Sequence, residues 1–215
     1  MDIIFLGHSS FKISGKTASV LTDPFDPNTV GLKFPKVSAD IVTISHDHND
    51  HNQVNLVSDV KRVIKGPGEY EIAGISIIGF SSFHDDKKGE VRGKNTIYIF
   101  EIDGLRIAHL GDLGHNLDDE MVSGIGDINI LLIPVGGEYT IGPAIALGIV
   151  QNIEPDIVIP MHYQMEGLNP EVFSKLENLD GFLKEVGVTV ERLDKLTVKK
   201  EELGETKKIV ILAKK

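Results

Sequence analysis

One short stretch concentrates metal-binding chemistry. SHDHNDH, residues 45–51, places His46, His48 and His51 beside Asp47 and Asp50, directly after the apolar run Ile41-Val42-Thr43-Ile44. The chain has eight histidines in 215 residues, and three of them fall in this loop. In extended backbone, residues two apart project to the same side, so His46 and His48 can face one cation together. Asp50 and His51 continue the turn and can face a second. Other polar residues also follow apolar runs: His84 after IIGFSS, Asp112 after RIAHLG and His162 after DIVIPM. Loops at strand ends can hold polar side chains over a cavity while a sheet fixes their positions. His84 could complete the first set, His162 the second, and Asp112 could bridge them. The chain contains no cysteine, so any metal must use His, Asp or Glu. Such ligands suit Zn²⁺, and also Mn²⁺ or Fe²⁺. A divalent ion held by them would lower the pKa of a bound water and so could supply a nucleophile.

These loops need strands to carry them. The runs IIFLG, ASVLTDPF, DIVTIS, ISIIGF, NTIYIFEI, LRIAHL and INILLIPV read as strands, several buried on both faces. Asp103-Gly104 suits a type I′ turn joining TIYIFEI to LRIAHL in a hairpin. A helix is expected over 142–153, entered through Gly142-Pro143. A second is expected over 170–186, with Asn169 as cap, Pro170 in the first turn, and Val172, Phe173, Leu176, Leu179, Leu183 and Val186 on one face. DIVIP and KKIVILA read as late strands. Strands followed by covering helices imply an α/β fold of stacked layers. No linker or low-complexity segment interrupts it, so residues 1–215 read as a single domain.

Composition excludes other classes. A formal net charge of −10 argues against a nucleic acid as the main partner, since phosphate backbones are held by clustered Lys and Arg. Without cysteine there is no disulfide, thiolate ligand or cysteine nucleophile. The opening MDIIFLGHSSFKI reads as neither a secretory signal nor a membrane span, so a cytoplasmic protein without a membrane partner is expected. Homo-oligomerisation is left open.

SHDHNDH resembles the HxHxDH signature of the metallo-β-lactamase superfamily, and the resemblance continues through Asp23 in LTDPF, His84, Asp112 in HLGDLGH and His162 in PMHY, in the family's order. FLGHSSFKI and VGGEYTIGP are more narrowly similar to the compact branch related to ascorbate-6-phosphate lactonase, the UlaG-like proteins. The resemblance implies a four-layer αββα sandwich with a dinuclear metal centre at one edge of the sheets. It assigns His46, His48 and His84 to one ion, Asp50, His51 and His162 to the other, and Asp112 to both. Asp23 matches a buried aspartate that supports the histidine loop. Two divalent ions, with Asp50, Asp112 and a bridging hydroxide, would leave the centre about one unit positive, suited to an anionic transition state. The implied function is hydrolysis of a small-molecule ester, lactone or phosphoester, with Asp50 or His115 as a proton shuttle. A metal-stabilised binding or regulatory protein without turnover is the alternative reading, and a phosphodiesterase or nuclease fits an acidic chain less well.

The remaining candidates surround this set. His109, within a strand, reads as a satisfied core residue. His8 and His115 lie beside glycine turns and can contact the site from behind or touch substrate. Tyr139 and Thr140 are candidates for the pocket wall, and Thr140 alternatively starts the helix near Pro143. In HDDKKGEVRGKN, Lys87, Lys88 and Arg92 could hold an anionic group of the substrate. The same loop also reads as a mobile surface turn whose lysines compensate Asp85, Asp86 and Glu90.

Overall fold

The computed structural model describes residues 1–204 and 207–215, apart from the side chain of Glu185. The chain opens as a meander of β1 (Asp2–Gly7), β2 (Ser10–Ser14) and β3 (Ser19–Thr22), followed by the short helix α1 (Pro27–Val30). Next come β4 (Val37–Ser38), β5 (Ile41–Ile44), β6 (Val57–Ser58) and β7 (Arg62–Lys65). The long antiparallel run β8 (Gly68–Ile72), β9 (Ile75–Phe83), β10 (Lys94–Ile102) and β11 (Leu105–His109) leads into α2 (Asp119–Ile125) and β12 (Ile130–Pro134). The rest alternates: α3 (Pro143–Ile153), β13 (Ile157–Met161), α4 (Pro170–Phe173), α5 (Leu179–Glu185), β14 (Thr189–Leu193), β15 (Leu196–Thr197) and β16 (Lys208–Leu212).

Two sheets result, with orders β15-β1-β2-β3-β5-β7 and β14-β16-β13-β12-β11-β10-β9-β8; β4 and β6 pair separately. Their inner faces share one core. Ile3, Phe5, Phe11, Ile13 and Ile41 of the smaller sheet meet Ile77, Phe100, Ile107, Leu132 and Ile159 of the larger. Each such side chain removed from water contributes about 1.5–3 kcal/mol, which explains why β12 and β13 are apolar throughout: their outer faces are covered too. Those outer faces pack on Ile125, Ala146, Ile149 and Phe182 from α2, α3 and α5. The outer face of the smaller sheet packs on Val30, Phe173 and the loop residues Phe25 and Phe34. The layers are therefore α, β, β and α, the expected sandwich.

The hairpin forms at Asp103-Gly104, whose φ angles of 55° and 76° are both positive, as a type I′ turn requires. The helix expected over 142–153 is α3, with Gly142 as its cap residue and Pro143 in its first turn. Thr140 does not cap it; its hydroxyl donates to the Ile141 carbonyl.

The single helix expected over 170–186 is instead two, α4 and α5. Asn169 caps the first, as expected, and Asn178 caps the second. Between them the backbone is taken up elsewhere: Glu177 N–H donates to the Gly136 carbonyl, and the Glu177 carbonyl accepts from Gln164 N–H. The apolar residues also divide. Phe173 and Leu176 pack over the smaller sheet, while Leu179 and Phe182 pack over the larger. A continuous helix could not serve both layers, and its helical periodicity concealed the change of partner.

Candidate metal centre

Every proposed ligand lies on a loop at one end of the sheets: residues 46–51 after β5, His84 after β9, Asp112 after β11 and His162 after β13. His8, in the β1–β2 turn, joins them. Three non-glycine residues here hold positive φ, namely His8 (55°), Asp23 (41°) and His162 (51°), a conformation that persists only where its surroundings over-determine it.

Asp23 organises the histidine loop. Its carboxylate accepts from Ser45 N–H at 2.8 Å, from Ser45 Oγ at 2.5 Å and from His51 Nδ1 at 2.9 Å. Burial works to raise its pKa, but His51, His109 and His46 outweigh burial and hold it below the usual carboxylate range. An ionised carboxylate has no proton to offer, so His51 Nδ1 carries the hydrogen of that bond. Ser45 has one hydroxyl proton and gives it to Asp23, so at 2.9 Å it accepts from His46 Nδ1. One buried carboxylate thereby sets the tautomer of two histidines and turns both Nε2 atoms towards the centre.

Those Nε2 atoms converge on Asp112. Its Oδ2 lies 3.2 Å from His51 Nε2, 3.2 Å from His162 Nε2, 3.4 Å from His84 Nε2 and 3.9 Å from His46 Nε2. His46, His48 and His84 offer ligand atoms within 4.8 Å of one another, as do His8, Asp50, His51 and His162, while His46, His51 and Asp112 form a third group between them. His46 Nε2, His51 Nε2, both ring nitrogens of His162, and Asp112 Oδ1 are buried without a hydrogen-bond partner. Burying so many polar atoms unpaired is costly. Bound metal would account for them, because imidazoles and a carboxylate are the donors such ions take.

Electrostatics divides the groups. Burial and the nearby His51 push His46 down to about 3, and burial likewise lowers His84. Burial and His162 push His8 down to about 4. Burial opposes the charge on Asp112, but His162 and His51 overcome it and keep that carboxyl well below its ordinary value. Burial similarly opposes the charge on His51, but Asp112 and Asp50 override it and hold the ring well above its ordinary value. Asp50 stays ionised against its own burial because His51 and His8 lie beside it.

Sequence reasoning missed two supporting residues. Ser45 is one. The other is Asn95, buried, whose Oδ1 accepts from Asp112 N–H at 3.0 Å and whose Nδ2 donates to the Leu110 carbonyl at 2.9 Å. A polar residue opening an apolar strand was the only available signal for Asn95. Gly111 lies between these two: a Cβ there would sit 2.4 Å from Asn95 Oδ1 and 2.6 Å from the Ser45 Cβ, at a φ of +56°. Its identity is fixed by that approach.

A cavity of about 270 Å³ opens over the cluster, lined by His48, Asp50, His84, Arg92, Asp112, Tyr139, Val172 and Phe173. Arg92 lies 5.5 Å above the Tyr139 ring. The two lysines grouped with Arg92 part from it: Lys87 and Lys88 are exposed, neither lines this cavity, and Lys87 lies 3.5 Å from Asp86. Lys87 faces Asp86, but Asp85 in the same loop is satisfied by backbone donors rather than by the lysines. The Asp85 carboxylate is buried, and it accepts from the backbone N–H groups of Lys87, Gly89, Val91 and Arg92 at 2.7–3.0 Å. Burial works to raise its pKa, but these donors hold it well below the usual range.

His115 is likewise occupied. Its Nε2 accepts from Phe83 N–H at 3.2 Å and its Nδ1 donates to the Asn116 carbonyl at 2.7 Å, so the catalytic role expected of it has no free nitrogen. His109 is fully buried, bonded to the Ser9 carbonyl and Gly111 N–H, and belongs to the core.

The chain is similar to known proteins. Residues 2–162 match the beta-lactamase superfamily domain. A UPF0173 metal-dependent hydrolase of Thermococcus onnurineus is 30% identical, with 82% of this chain and 92% of the relative covered. A crystal structure from Thermotoga maritima, described as a Zn-dependent hydrolase of the metallo-β-lactamase superfamily, is 38% identical with a TM-score of 0.79 over 98% of each chain. Igni18 of Ignicoccus hospitalis, described as a metallo hydrolase, has a TM-score of 0.62 at 22% identity over 82% of this chain and 85% of its own, a likeness of fold. The chain belongs to the metallo-β-lactamase superfamily and, within it, to the UPF0173 metal-dependent hydrolases.

Proposed function

We propose that this protein hydrolyses an ester, lactone or phosphoester of an anionic small molecule, in the manner of the lactonase-like branch its sequence resembles. The observation that carries this reading is the meeting of His46, His48 and His84 with Asp50, His51 and His162 around Asp112, on the floor of an open cavity. The names of the relatives support hydrolysis. Two divalent ions held there, with zinc the best match to the donor set and manganese or iron alternatives, would supply a water of lowered pKa and polarise the substrate's oxygen.

The chain's own residues provide the rest. Asp50 has one carboxylate face in the cavity and accepts from His8 Nε2 at 3.2 Å, which leaves it placed to take a proton from an attacking water. Asp23 and Ser45 keep the imidazoles from turning. Arg92, backed by Tyr139, receives the substrate's anionic group. Val172 and Phe173 form an apolar wall that limits water around the reacting group.

The test is a panel of lactones, aryl esters and phosphodiesters offered to protein purified without chelator and reloaded with Zn²⁺ or Mn²⁺, with metal content measured alongside. Turnover of an anionic ester or lactone at close to two ions per chain is the expected result. A fixed content of one ion, unchanged by added metal, would defeat the dinuclear reading. Tight ligand binding without turnover on any class would favour the binding-protein alternative.

A further inference from the structure

A second, larger cavity of about 520 Å³ adjoins the first. Both are lined by His48 and Arg92, so the two meet at these side chains. Its walls come from both sheets: Ile44 to His48 and Lys65 to Pro67 on one side, Ser81 and Arg92 to Thr96 on the other. The Tyr98 hydroxyl closes the seam beneath, lying 3.0 Å from the Ile44 carbonyl and 3.2 Å from that of Gly66.

Its charge runs against that of the molecule. The chain carries a formal −10, yet this groove collects Lys65, Arg92 and Lys94 with a single acid, Asp47. The acid is only loosely paired with Lys65, at 3.9 Å between exposed groups, and is also bonded by Asn52. Among the described residues, neither Arg92 nor Lys94 has a carboxylate within 4.0 Å. Cations gathered in one groove repel one another, and an anion between them relieves that repulsion. Arg92 is also held in advance, since Asp85 fixes its backbone N–H at 2.7 Å.

From this geometry we infer that the groove is a second anion subsite, and that the substrate is elongated. Its scissile group lies over the metal ligands, it passes Arg92, and a terminal phosphate or carboxylate reaches Lys65 and Lys94. The position of the scissile group rests on the hydrolytic reading above; the anion subsite does not. A volume of this order suits a small molecule, and three cations on an acidic chain are too few to hold a nucleic acid backbone.

The test compares aryl half-esters of C4 to C8 dicarboxylic acids with aryl esters of the matching monocarboxylic acids, and adds aryl esters of ω-phosphonoalkanoic acids. The quantity read is the ratio of kcat/KM for the charged to the neutral ester. In the metal-loaded wild type this ratio should rise with chain length, as the terminal anion reaches the groove. Lys65→Met with Lys94→Met should lower it about five- to tenfold for the longer esters, as expected for two exposed charge pairs, and by less for the shortest. Lys36→Met, at a lysine that lines neither cavity, serves as the control. The carboxylate and phosphonate series identify which anion the subsite prefers.

Equal loss on charged and neutral esters, or no loss on either, would overturn the subsite. Titration of wild type and the double variant with inorganic phosphate and with glutarate, followed by amide shifts of residues 93–96, decides the case independently of turnover. Shifts in wild type that vanish in the variant support the subsite even if no ester is cleaved, an outcome that would sink the hydrolytic reading alone. Tighter binding of a single-stranded RNA oligonucleotide than of either small anion, with steep salt dependence, would overturn the small-molecule assignment.

Discussion

The two groups of candidate metal ligands are built differently. The group His46, His48 and His84 consists of three imidazoles, and His48 is exposed, bordering both cavities. The group Asp50, His51 and His162 includes a carboxylate, and His8 adjoins it, its ring centroid 4.1 Å from that of His162. Asp23 bonds His51 directly but reaches His46 only through Ser45. The half with more negative charge and more direct support is therefore the deeper one, and the half facing substrate is the more weakly tethered. With metal bound, retention of the ion would rest mainly on the deeper group and access of substrate on the outer one.

The largest expected effect erases this asymmetry. Asp112→Asn removes the charge shared by both halves, so it should lower metal affinity at both and abolish measurable turnover, a loss beyond the roughly 10- to 100-fold typical of supporting residues. Circular dichroism should show the fold retained. Full metal content and activity in this variant would remove Asp112 from the centre.

A finer comparison separates the halves. Asp23→Asn should cost about 10- to 100-fold in metal affinity, with the Asp50–His51–His162 half affected more because its support is direct. Ser45→Ala should act on the His46 half alone and only about fivefold, near the net value of one hydrogen bond. Stepwise titration of the metal-free variants with Co²⁺, whose absorption reports each occupancy, checks both. Equal weakening of the two halves by Ser45→Ala would refute the relay through its hydroxyl.

The smallest effect concerns the metal-free protein. His8 and His46 have folded pKa values of about 4 and about 3, below the ordinary 6.5. Between about pH 6.5 and 4 the unfolded chain binds protons that the folded chain refuses, so stability falls as pH falls through this window. His51, shifted upwards, is protonated in both states there and contributes no slope. Thermal melting of metal-free protein should drop by several degrees across the window. His46→Asn should flatten the profile; an unchanged slope would contradict burial of neutral His46.

Much of this cluster was legible because its residues are concentrated. Three histidines in one loop, followed by His84, Asp112 and His162 after apolar runs, carry their own spacing, and the strands ending in them are apolar enough to identify. What escaped detection acts through single contacts between segments far apart in the chain. Ser45 matters because Asp23, 22 residues earlier, meets it, and Asn95 because Asp112 lies 17 residues on. The same limit applied to cations. Lys87, Lys88 and Arg92 look alike in sequence, but only Arg92 emerges from the Asp85 turn facing the cavity, and Lys65, distant in sequence, shares its groove. His115 was misread for a related reason: its backbone partners cannot be inferred from its neighbours. Edge strands such as β14 and β15 lack the apolar density that revealed β12 and β13.

The division of the 170–186 run into α4 and α5 affects how the cavity comes into being. A four-residue helix has no stability of its own. Asn169 N–H is bonded to the Val30 carbonyl, Phe173 rests in the core over the smaller sheet, and the next helix is committed to the opposite outer layer. The apolar wall over the metal ligands is thus held by a strap whose two ends belong to different layers. Loosening of either outer layer would therefore open the cavity while the sheets and their loops stay in register.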